Sequence, residues 1–354
     1  MRKHLLAILT AALAFALSSG LAAAPKQHFS VCWSIYAGWM PWEYGASRGI
    51  VDKWAKKYGI DIDVVQVHDY VESINQYTAG QFDGCSMTNM DALTIPAAGG
   101  VDSTALIVGD FSNGNDGIVI KGENLFLNDI KGQPVNLVKQ SVSHYLLARG
   151  LQRVGLSERD VQLVNASDAT LVADFAAPDV RAATTWNPLL AELVAKPGVT
   201  KVFDSRQIPG EIIDLMVVNS QTLADNPDFG KALTGAWYEI MATMSADGHE
   251  GKAARAHMAK ASGTDLRGYE AQLETTRMFY SAREAADFAR SPKLPVTMLK
   301  VAKFSFEQGL LGRQATDADA IGMSFANGDV TGDRSNVKLR FDASYMQLAA
   351  DGKL

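Results

Sequence analysis

The chain has 354 residues, the length of about two compact units. Its 47% hydrophobic and 20% charged residues exclude wholesale disorder, and its single long apolar run, at the extreme N-terminus, excludes a multi-span membrane protein. The formal charge of −6 argues against a nucleic-acid scaffold, and two cysteines are too few for a disulfide framework or a four-cysteine zinc site.

Arg2 and Lys3 precede an almost wholly apolar stretch, residues 5–17. Ser18, Ser19 and Gly20 follow, then Leu21, Ala22, Ala23 and Ala24. A basic start, a short apolar segment and a small-residue exit predict a secretory signal peptide. The stretch is shorter than the roughly 20 residues a membrane span needs. Pro25 would follow a cut at Ala24 badly, so cleavage after Ala22 is expected, giving a signal peptide over 1–22. No cysteine stands at the cut, so no lipoprotein anchor is expected, and in a Gram-negative host the product is periplasmic. Cys32 and Cys85 then fall on strand positions in an oxidising compartment, either bridged or as two buried thiols.

Residues 29–36 read as a strand. Residues 46–58 read as a helix with Ile50, Val51 and Trp54 on one side and Arg48, Asp52, Lys53, Lys56 and Lys57 on the other, ended by Gly59. A strand over 60–67 leads to Asp69, which can cap a helix running to Ala79. A strand over 83–87 leads to a helix capped by Thr88 or Asn89, and further strands fall at 105–108 and 118–120. This βαβα rhythm predicts a parallel sheet with helices on both faces. The rhythm restarts with a strand over 134–138, a helix capped by Ser141, a strand over 161–164 and a helix capped by Ser167 and Asp168. A strand over 182–185 delivers Trp186, and Asn187-Pro188 opens another helix. Strands at 199–203 and 215–218 are expected to complete a second sheet, and 229–308 is mainly helical.

Two α/β units in series predict an α/β protein of two lobes. Lobe one would cover 23–120 and, after the return, 217–354 with a helical C-terminal tail; lobe two would cover 121–216. Interlobe crossings near Ile120 and Val217 would form a hinge.

Several segments in order carry a family likeness: Gly38-Trp39-Met40-Pro41-Trp42, Lys57-Tyr58-Gly59, Ala79-Gly80-Gln81-Phe82-Asp83-Gly84, Thr88-Asn89-Met90-Asp91-Ala92, the run from Asp110 to Gly117, Lys131-Gly132-Gln133-Pro134-Val135 and Thr184-Thr185-Trp186-Asn187-Pro188. The series resembles the periplasmic solute-binding components of ABC importers for nitrate, sulfonates, taurine and thiamine precursors. It is most similar to the branch found beside urea carboxylase-type enzymes, associated with urea, amides or guanidine. The resemblance implies a two-lobed type II periplasmic binding fold, capture of one small solute, and delivery to an ABC permease in the inner membrane. One relative is an enzyme with a cysteine-rich motif, which this chain lacks.

Ligands of open α/β folds sit beyond the carboxyl ends of the strands. The loops there offer Trp39, Trp42, Glu43, Asp69, Asn89 and Asp116 from the first unit, Ser141 and Trp186 from the second, and Glu211 and Asp214 before the return. Each has a plainer reading. Trp39, Trp42 and Trp186 are either ligand walls or packing; Glu43, Asp69, Asn89 and Ser141 also suit helix N-termini; Asp116 suits a turn; Glu211 and Asp214 suit hinge hydrogen bonding. Aromatic faces and carboxylates suit a planar cation, so guanidine is favoured, then urea or a short amide. The alternatives are an anion such as nitrate or a sulfonate, and an exported amide or guanidine hydrolase using paired carboxylates. His-Glu-x-x-His, Gly-x-Ser-x-Gly and phosphate-loop motifs do not occur, and Asp317-x-Asp319 fails as a calcium loop at Ile321. No catalytic residue, cofactor, metal or nucleic-acid partner is expected, and a monomer is.

Overall fold

A computed structural model describes residues 26–354; the expected signal peptide and its cleavage position lie outside the described residues. Strand β1 (His28–Trp33) runs parallel to β2 (Asp61–Gln66) on one side and β3 (Gly84–Thr88) on the other. The single helix expected over 46–58 is two, Met40–Ser47 and Ile50–Lys57, because Gly49 between them takes φ +69°. The register places Cys32 opposite Cys85, with Cα atoms 4.4 Å apart, and the two form a disulfide. The long, almost wholly buried β4 (Ser103–Ser112) follows.

Residues 113–115 then carry the chain into a second sheet, where β5 (Asp116–Lys121) joins β6 (Pro134–Leu137), β7 (Gln162–Asn165), β8 (Ala182–Trp186) and β9 (Val199–Asp204) in the order β7-β6-β8-β5-β9. Residues 205–212 bring it back as β10 (Ile213–Asn219), between β4 and β3 of the first sheet. Helices dominate from there, but the return is not wholly helical. β11 (Thr276–Met278) pairs with β4, and β12 (Gly322–Ser324), β13 (Val330–Thr331) and β14 (Val337–Phe341) extend the large sheet to nine strands.

The sheets correct two expectations. The passages between them fall at 113–115 and 205–212 rather than near Ile120 and Val217, so β5 belongs to the second sheet and β10 to the first. Neither sheet is wholly parallel: β5 is antiparallel to β8 and β9, and β10 to β3 and β4. The cause is geometric. Home strands such as β3 and β8 end at the boundary between the lobes, whereas a strand arriving from the other lobe begins there and must run the opposite way. The first residues of β5 and β10 therefore lie beside the last residues of their neighbours: Asp116 opposite Trp186, and Asp214 opposite Thr88 on one side and Asp110 on the other.

Candidate functional site

These strand ends enclose a small cavity between the lobes. Four aromatic side chains form most of its wall: Tyr36 and Trp39 after β1, Tyr70 at the start of helix Tyr70–Thr78, and Trp186 at the end of β8. They make a continuous chain of edge and tilted contacts, with ring centroids 5.0 Å apart for Tyr36–Trp39, 5.6 Å for Trp39–Tyr70 and 5.7 Å for Tyr70–Trp186. Asp116 and Asp214 complete the wall with Thr88, Val142 and Ile212. Its volume, taken as the space open to the centre of a water molecule, is about 20 Å³. That is room for a solute of a few non-hydrogen atoms. Trp39 and Trp186 are only 5% and 6% exposed, so the lobes are closed over it.

The electrostatics are one-sided. Among the described residues, no lysine, arginine or histidine lines the cavity. Ser112 Oγ donates to Asp116 Oδ2 at 2.5 Å, and Tyr36 Oη donates to Asp110 Oδ1 at 2.8 Å just behind Asp214. Burial pushes Asp116 and Asp110 up to about 7, against the opposing pull of those hydroxyl donors. Burial, reinforced by the charges of Asp110 and Asp116, drives Asp214 well above the usual carboxylate range. Nearby, Asp91 accepts from Tyr70 Oη at 2.6 Å and Thr88 Oγ1 at 2.8 Å, so it fixes one aromatic wall; burial raises it to about 6.

Of the ten residues singled out in the sequence, the fold brings Trp39, Asp116, Trp186 and Asp214 together here. The other six lie elsewhere. Trp42 packs against Trp237 in the core behind Trp39, with centroids 4.9 Å apart. Glu43 pairs with His257 at 3.0 Å. Ser47 reaches the same Nε2 of that histidine, so the trio cannot relay a proton from serine through imidazole to glutamate. Asp69 caps its helix through the Glu72 N–H and accepts from Ser167 Oγ of the second lobe at 3.1 Å. Asn89 donates to the Glu211 carbonyl and accepts from the Ile213 N–H, tying down the return passage. Ser141 caps helix Val142–Arg153. Glu211 takes Arg149 at 2.8 Å, Lys300 at 3.1 Å and Tyr145 Oη at 2.6 Å, which hold its carboxyl down at about 2 despite burial. Tyr70 and the run from Asp110 to Asp116 belong to the loops expected at the cleft, and the structure adds Tyr36 and Ile212. The pairing of β4 with β10 is what sets Asp110 beside Asp214.

A profile of the NMT1-like family matches residues 35–262. The chain belongs to the NMT1-like family. Proteins of Brucella abortus and Brucella suis, named provisionally as binding proteins, are 24% identical to this NMT1-like chain over 185 residues. The match spans half of this chain and 56% of theirs, a little over half the length of those relatives. Among solved structures, the alkanesulfonate-binding protein SsuA of Xanthomonas axonopodis pv. citri, bound to MOPS, superposes with a TM-score of 0.66 at 17% identity, covering 84% of this chain and 99% of that one. The periplasmic nitrate-binding protein NrtA of Synechocystis PCC 6803 gives 0.56 at 12% identity, covering 94% and 100%. At these identities the likeness is one of fold. The NMT1-like chain has the two-sheet α/β fold of the periplasmic binding proteins.

Proposed function

We propose that this protein is the periplasmic solute-binding component of an ABC importer, and that its solute is a small planar cation, guanidinium before urea or a short amide. The observation that carries the solute reading is the cavity wall: four aromatic rings and two carboxylates, with a third behind them and, among the described residues, no basic one. Rings offer their faces to a planar cation, and carboxylates accept its N–H groups at the rim. Urea carries no charge to offset the buried carboxylates. The fold and the provisional names of the Brucella relatives support the role of solute capture. In that role the chain works as a monomer that closes on its solute and passes it to a membrane permease.

An anion would draw on a helix N-terminus at the cavity, and at helix Tyr70–Thr78 the chain's own carboxylates occupy it. The Tyr70 N–H donates to Asp168 Oδ2 at 3.2 Å and the Glu72 N–H to Asp69 Oδ1 at 2.8 Å. The test is calorimetric titration with guanidinium at millimolar concentration or below, beside urea, acetamide, nitrate and taurine. Guanidinium is expected to bind best. Binding of nitrate or taurine without guanidinium would overturn the reading, and ammonia release during incubation would identify a hydrolase instead.

A further inference from the structure

The site holds more negative groups than one small cation can neutralise. Asp110 and Asp214 are cross-strand partners on β4 and β10, Asp116 opens β5 beside them, and all three are at most 3% exposed. The groups facing them are the Tyr36 phenol, Asp91 beneath Tyr70, and the phenols of Tyr269 and Tyr280 behind Asp110, with Arg255 and Arg277 beyond Tyr280. None of these supplies a positive charge inside the cavity. Asp110 Oδ2 is buried and has no hydrogen-bond donor among the described residues. A Cβ on Gly38 would stand 2.4 Å from that oxygen, so the loop after β1 closes tightly over it and leaves no room for water there. Adjacent buried carboxylates hold a proton between them when nothing else offsets their repulsion.

Building on the cation reading, we propose that the cavity is an exchange site: entry of one monocation drives one proton from the Asp110–Asp116–Asp214 group out to bulk water. The proton leaves through the cleft mouth before the lobes close. The solute stays charged throughout, since a guanidinium group titrates only above pH ~12. A neutral planar solute such as urea displaces no proton, so the exchange separates solutes of the same shape by charge.

The test uses the full mature chain. Guanidinium chloride is titrated at pH 7 in phosphate and in a zwitterionic amine buffer of much larger protonation enthalpy. The difference in heat is expected to correspond to about one proton released per solute. Affinity is expected to rise by up to about tenfold per pH unit between pH 5.5 and 7 and to level off above 8, with no such slope for urea. Asp110→Asn removes one partner of the pair and is expected to cut the release to roughly half a proton or less, with Asp116→Asn as the second variant if the first does not fold. Guanidinium binding with equal heats in both buffers and a flat pH profile overturns the exchange and leaves the cation reading standing. No guanidinium binding at any pH overturns both.

Discussion

Asp116 and Trp186 face each other as a cross-strand pair between β5 and β8, so one pairing supplies both a carboxylate and a ring face. A desolvated cation–π contact is worth about 2 kcal/mol, so Trp186→Ala is expected to weaken guanidinium binding by at least about tenfold in calorimetric titration. Asp116→Asn is expected to cost more, while Glu43→Gln, outside the cavity, stays within about twofold of wild type. Equal affinity in all three variants would put the site elsewhere. The acidic and aromatic character of the site was legible in its loops, but the choice among carboxylates was not. Glu43 is claimed by His257, 214 positions away, and Glu211 by Arg149, 62 positions away. Asp116 and Asp214 differ from them by having no basic partner among the described residues, and only the folded chain reveals that.

The alternation of strands and helices over the first two hundred residues was legible because most strands there are runs rich in apolar residues closed by a cap or a glycine. Sheet membership of the crossing strands was not, since β5 and β10 look like their neighbours and differ only in the lobe they enter from. Glu211 shows what holds that arrangement on the hinge side. It sits on the return passage and is gripped by Arg149 and Tyr145 of helix Val142–Arg153 and by Lys300 of helix Lys293–Glu307. Removing one member of a buried pair costs about 3–5 kcal/mol. Lys300 is half exposed, and glutamine keeps an acceptor for Tyr145, so Glu211→Gln is expected to lose roughly 2 kcal/mol, read as a lower Tm. Cys32→Ser opens a loop of 53 residues between adjacent strands and is expected to cost about 2–4 kcal/mol in the oxidised protein and nothing under full reduction. An oxidised wild type no more stable than the variant would count against the bridge.

At the scale of the molecule, the carboxylates act against each other in pH. Asp91, Asp110 and Asp116 carry pKa values raised to about 6, 7 and 7, so between pH 4 and 7 the folded chain binds more protons than the unfolded one. Their contribution to stability is fully present at the acid end of that window and is lost as pH rises through it. Glu211, lowered to about 2, has the opposite sign: its contribution is present above its ordinary pKa and lost as pH falls toward 2. The solute-free protein is therefore expected to melt lower at pH 8 than at pH 5, by a few degrees or more, and guanidinium to narrow the gap by binding only the folded state. A Tm that rises from pH 5 to 8 without solute would refute this account. The cleft mouth adds a second coupling, because Ser167 Oγ to Asp69 and the Tyr70 N–H to Asp168 bridge the two lobes in this closed arrangement. Ser167→Ala is expected to weaken binding a few-fold without lowering Tm by more than about 1 kcal/mol's worth, as loss of one partly exposed hydrogen bond should.

The placement of Trp39 and Trp186 also gives the molecule an optical property. They are two of the chain's six tryptophans, and both line the cavity from opposite lobes. Opening the cleft would wet both indoles, while closure around a solute would dry them and set a charge against their faces. Filling should therefore shift and rescale the intrinsic ultraviolet emission, and Trp186→Phe should remove part of that signal. The unlabelled protein would report its own occupancy in a stopped-flow fluorimeter, on the timescale at which the lobes meet.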